Sequence, residues 1–171
     1  MTAAAAVRPP PGDRRAVITG LFGAVALLSF GAIVVALVSQ HAFAMEPCAW
    51  CVLQRLIFLA IGLAALLGLA WRGAAGSRVA AGIGLLLALA GIAAAFWQHF
   101  VAARSASCNL TLADKIVNAT KLDRLLPDVF EARASCADAA VNLIGVPYAF
   151  WSALVFLACA IALVRVLRAR V

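Results

Sequence analysis

The chain has 171 residues, of which 66% are hydrophobic and only 12% charged, with a formal net charge of +7. A soluble domain carries roughly a quarter charged residues and under half apolar ones, so the polar residues here cannot cover a water-facing surface and the excess apolar surface must face lipid. Nucleic-acid binding is excluded by placement: such proteins cluster basic residues on a polar face, whereas these flank apolar runs.

Four apolar runs have the roughly 20 residues that a helix needs to cross a bilayer. Helix is the expected form, because lipid cannot satisfy open backbone groups. The first span covers residues 16–38 and carries no charge. Arg8, Arg14 and Arg15 before it, and Ala42-Phe43-Ala44 after it, imitate a secretory leader with its cleavage site. The apolar run is too long for a leader core, and cleavage would strip a helix from a very small bundle, so the segment is expected to stay. A connection at 39–51 follows, with His41 as a polar anchor and Cys48-Ala49-Trp50-Cys51 at its end.

The second span covers 52–71 and holds one charge, Arg55. A charge about a turn inside a span is costly and usually functional. The bland alternative is a side chain that snorkels to the surface. Arg55 stands four residues after Cys51, on the same helical face, where a guanidinium can stabilise a thiolate or a ligand that becomes anionic. A short connection with Arg72 and Arg78 leads to the third span, 79–101. Near its far end stands Phe96-Trp97-Gln98-His99-Phe100. A His among interfacial aromatics reads first as a wet anchor, although His99 lies at a similar depth to Arg55. Gly62, Gly68, Gly82, Gly84 and Gly91 within the spans allow close helix approach.

The connection 102–142 is too long for a bare link and marks a functional loop. It contains Cys108 and Cys136. Apolar residues at 122, 125, 126, 129 and 130 mark one helical face, with Pro127 imposing a break or a fresh start. Such a short amphipathic helix either lies on the membrane or packs on the bundle. The fourth span covers 143–164 and contains Cys159, expected to be a small buried hydrophobe. Arg165, Arg168 and Arg170 follow. The segments on one side of this topology hold eight arginines against Asp13 alone, whereas charges in the other two connections nearly cancel. Lys/Arg bias then predicts cytoplasmic termini, in a single all-α membrane domain of four helices with a long periplasmic loop.

Four of the five cysteines therefore fall on the side where disulfides persist. Zinc needs a tighter ligand set than a second pair 28 residues apart provides, and no metal is expected. Two stapling disulfides remain an alternative, but closing so short a loop as C-x-x-C stabilises little. A disulfide of that kind tends to be labile and catalytic, and helix N-terminal amides beside Cys51 favour a thiolate.

Pro47-Cys48-Ala49-Trp50-Cys51-Val52-Leu53-Gln54-Arg55 resembles the P-C-x-x-C-x-x-x-R of the bacterial disulfide-bond formation protein B (DsbB) family. Leu126-Pro127-Asp128-Val129-Phe130 ahead of Cys136, and His99 ahead of Cys108, are similar to further family features. The likeness runs from the first span through the fourth. Cys159 departs from the pattern, and the Ala-Trp between Cys48 and Cys51 is bulkier than usual. The resemblance implies an inner-membrane oxidase that reoxidises a periplasmic, thioredoxin-like DsbA and passes electrons to ubiquinone, with menaquinone as the alternative. It implies that DsbA attacks a Cys108–Cys136 disulfide at Cys108, that Cys48–Cys51 reoxidises that pair, and that Cys51 reduces the quinone beside Arg55 and His99.

Overall fold

The computed structural model describes residues 11–71, 73–104 and 111–169. Cys108, Arg8, Arg72 and Arg170 lie outside the described residues. Helix α1 (Pro11–Phe43) runs past both ends of the apolar stretch read from the sequence. Ser39 extends it by bonding back to the Val35 carbonyl at 2.8 Å, and Ala44, at φ 52°, follows the helix end. Helix α2 (Ala49–Ala70) starts directly after Cys48, so Cys51 lies in its first turn. Helix α3 (Ala74–Phe100) begins five residues before its apolar run, with Gly73 as N-cap.

The long connection holds more helix than its apolar pattern shows. Helix α4 (Leu112–Thr120) opens on a capping box, in which Thr111 and Asp114 bond each other's backbone N–H. It turns Ala113 and Val117 inward, against α2. The predicted amphipathic stretch is two single turns, α5 (Leu122–Leu125) and α6 (Pro127–Phe130), broken where Pro127 requires it. Phe130 is buried, whereas Leu125 and Leu126 remain exposed.

The fourth span starts later than its apolar run. Leu143 and Ile144 belong to a hairpin of β1 (Asn142–Leu143) and β2 (Val146–Pro147), with Leu143 opposite Val146. Ile144 at φ 55° and Gly145 at φ 78° form its turn, the left-handed pair that two-residue hairpins demand. Helix α7 (Tyr148–Arg168) follows from Pro147. Hydropathy counts Leu143 and Ile144 as span; turn geometry excludes them.

Helices α1, α2, α3 and α7 are each long and apolar enough to cross a membrane. Together they form a four-helix membrane bundle in which α3 packs on α7 and α2, and α1 on α2 and α7. With no water to drive association, van der Waals packing carries the assembly. Phe22, Phe156, Ile61, Leu163 and Val25 fill its core. Phe58 of α2 stacks on Phe156 of α7 with ring centroids 3.9 Å apart. Gly91 is where Phe156 meets α3, and a Cβ on Gly68 would sit 2.5 Å from the Phe22 ring.

Candidate active site

The start of α2 brings three sulfurs together. The Pro47 carbonyl accepts from the backbone N–H of Arg133 at 2.9 Å and of Ala134 at 3.2 Å. The chain leading to Cys136 is thus tied to the residue before Cys48. Cys48 is fully buried, and its sulfur lies 3.0 Å from that of Cys51. Cys136 lies close enough to interact with the Cys48 sulfur and the backbone N–H of Trp50. Donation to Cys136 and to Cys51, together with burial, pushes the Cys48 thiol far above its ordinary range. The same bond from Cys48 holds the Cys136 thiol below its ordinary range, against the opposing effect of burial. Cys48 is therefore the central sulfur, within reach of one partner on its own helix and one on the long loop.

Arg55 is one turn deeper and only 5% exposed. One guanidinium nitrogen donates to Gln40 Oε1 at 2.8 Å and to the Val129 carbonyl at 3.0 Å; the other donates to the Ala36 carbonyl at 3.3 Å. All three acceptors are neutral, so they satisfy the donors without cancelling the charge. Gln40 in turn donates to the Asp128 carbonyl at 3.3 Å. Arg55 and Gln40 together clasp α6 from beneath.

A cavity of about 870 Å³ opens beside this group, within the size range of small-molecule sites. Cys51, Gln54, Arg55 and Gln98 supply its polar end, and Leu28, Val35, Phe58 and Val155 are part of its apolar wall. Its sides are α1 (Leu27, Gly31) and α7 (Trp151, Leu154). Leu27 and Leu154 are also exposed on the outside of the bundle, so the cavity faces the lipid between these two helices.

His99 is not on this wall. Successive helical residues point about 100° apart, and the α3 residue that faces the cavity is Gln98. His99 turns away onto Phe150, with ring centroids 4.7 Å apart, and onto Phe100 at 4.8 Å. The polar α3 side chain on the cavity wall is that of Gln98, the neighbour of His99. Cys159 is fully buried in α7, 3.9 Å from the Ser29 hydroxyl in the bundle core. Among the described residues, no group of three or more metal-ligating side chains assembles.

Residues 18–166 match the family model described as disulfide bond formation protein DsbB. The chain belongs to the DsbB family. It is 37% identical over 143 residues to the disulfide bond formation protein B of Aromatoleum aromaticum, covering 81% of this chain and 82% of that protein. It is 33% identical over 156 residues to the protein of that name from Azoarcus sp., covering 88% and 90%. The Ralstonia nicotianae protein of that name is 33% identical, over 82% and 87% of the two chains. As a DsbB-family member, the chain is a membrane disulfide oxidoreductase concerned with disulfide bond formation. Three glutamines of its site, Gln40, Gln54 and Gln98, escaped the sequence reading. The available signal was their position: uncharged but strongly polar residues in or beside apolar spans, which a lipid-facing helix does not tolerate without partners.

Proposed function

We propose that the protein reoxidises a periplasmic DsbA-type thiol oxidase and delivers the electrons to a membrane quinone, ubiquinone or alternatively menaquinone. The observation that carries this is Cys51, with the Cys48 sulfur 3.0 Å behind it, beside Arg55, whose hydrogen bonds go to neutral oxygens, on the wall of a cavity open to lipid. Reduced partner attacks the loop disulfide at Cys108, leaving Cys136 as a thiolate. Cys136 attacks Cys48 of the Cys48–Cys51 disulfide and expels Cys51 as a thiolate at the cavity wall. The order of sulfurs supports this route, because Cys48 touches both others and Cys51 alone lines the cavity.

A bound quinone supplies an acceptor for two electrons and two protons. The residues fit such a group: an apolar wall for the ring and tail, and the Arg55 guanidinium beside Cys51. Arg55 favours negative charge there and ties α6 to α2 through the Val129 carbonyl. His99 acts from outside the cavity, as an aromatic-packed anchor near the end of α3. Residues 1–171 form one inner-membrane unit with cytoplasmic termini and periplasmic redox loops. Exposed Arg15, Arg78, Arg165 and Arg168 at the helix ends support that orientation.

The test is a coupled assay. Purified protein mixed with reduced DsbA-type partner and ubiquinone should oxidise the partner while the quinone absorbance falls. Cys51→Ser should abolish both. Folded protein that oxidises the partner with no quinone consumed would refute the quinone reading.

A further inference from the structure

Gln98 is only 6% exposed and Gln54 only 4%. A primary amide buried in an apolar bundle costs about 1–3 kcal/mol unless it is bonded. These two meet each other across the α2–α3 interface: the Gln54 amide nitrogen donates to Gln98 Oε1. The Gln98 amide nitrogen then donates to Cys51 Sγ at 3.1 Å. As the amides stand, the chain runs from Gln54 through Gln98 to the sulfur. With its oxygen occupied by Gln54, Gln98 presents N–H to the sulfur; turning its amide over alone would set two donors against each other, and only a thiolate, which cannot donate, requires this orientation.

Arg55 does not supply this bond. Its hydrogen bonds go to Gln40, Val129 and Ala36, none of them to Cys51. Arg55 therefore contributes a field, and Gln98 a directed donor. A disulfide sulfur is a weak acceptor, whereas bonds to an ionised acceptor are about twice as strong as neutral ones. The Gln98 bond thus strengthens when Cys51 becomes a thiolate, the condition for lowering a barrier rather than merely binding.

We propose that Gln98 is a catalytic hydrogen-bond donor to the Cys51 thiolate, positioned by Gln54, and that the pair turns this sulfur toward the cavity. The proposal rests on the reading of Cys51 as the thiolate that faces the electron acceptor. Its test is kept separate from quinone chemistry. In the full-length chain with Cys51 as sole cysteine (Cys48→Ala, Cys108→Ala, Cys136→Ala, Cys159→Ala), iodoacetamide alkylation of Cys51 is followed by mass spectrometry from neutral to alkaline pH. Gln98→Leu should slow alkylation about tenfold at neutral pH, with rates converging at alkaline pH where the thiol ionises unaided. Gln54→Leu should slow it about threefold, because Gln98 is then free to turn.

Where Gln98→Leu leaves Gln54 orphaned and fails to fold, the Gln54→Leu/Gln98→Leu double variant, with no orphaned amide, carries the same tenfold expectation. Equal rates at neutral pH, or a loss of the same size at every pH, would overturn the proposal; the latter means altered access. A normal alkylation result with no quinone reduction by the unaltered chain would sink the proposed acceptor while leaving Gln98 in its role.

Discussion

At the residue scale the three sulfurs differ in environment more than in distance. Cys136 is held low by the bond it accepts from Cys48, so it carries more thiolate near neutrality than an ordinary thiol. In reduced protein, its alkylation should rise at lower pH than that of a free thiol. Cys48→Ala removes the donor and should move that midpoint upward, as a pH series of alkylation rates would reveal. Arg55 is the costliest residue in the bundle, and its partners are oxygens that cannot neutralise it. Arg55→Met keeps the bulk and loses the charge. It should raise the KM for quinone at least tenfold, the scale of one charged bond of about 1.5 kcal/mol, with partner thiol attack at Cys108 preserved in a single-turnover trap. Cys159→Ala should leave turnover within a factor of about two, since this thiol only fills core space beside Ser29.

At the scale of elements, the clearest lesson concerns what polar pattern adds to apolar pattern. C-x-x-C followed by Arg55 was legible because three residue types at fixed spacing carry their own chemistry. Helix α4 was not, because Leu112, Ala113, Ile116 and Val117 give an apolar stripe of only two turns. Its capping box at Thr111 and Asp114 was the better signal. Thr111→Ala removes one half of that box at a cost of about 1 kcal/mol. Faster hydrogen exchange confined to residues 112–117 would register it; unchanged exchange would mean that packing on α2 alone holds the helix. The start of α7 was misplaced for the opposite reason. Leu143 and Ile144 are apolar enough for a span, and only the Ile144-Gly145 turn reveals the hairpin. His99 was assigned by resemblance, whereas the α3 face in the cavity belongs to the residue before it.

At the scale of the whole molecule, composition alone dictates a lipid-facing bundle, and four apolar runs dictate its helix number. Which faces meet is less legible, because Ala, Gly and Leu occur all round each span. Contact is decided by where a large side chain finds a small one. Gly91→Leu would force a side chain into the space of Phe156 and break its stack on Phe58. It should lower the melting temperature in detergent by several degrees, as expected for about 1–3 kcal/mol of overpacking. Gly82→Leu, at a position with open space around it, should change it little.

The cavity mouth between α1 and α7 also determines which concentration the protein responds to. A ligand that enters sideways comes from the bilayer, so turnover should follow the number of quinones per lipid and not the number per volume of buffer. Diluting proteoliposomes at a fixed concentration of the reduced partner should leave the rate per protein unchanged. Fusing them with quinone-free vesicles should depress it in proportion to the lipid added. Through that opening, the surrounding membrane becomes the solvent in which the enzyme's kinetics are written.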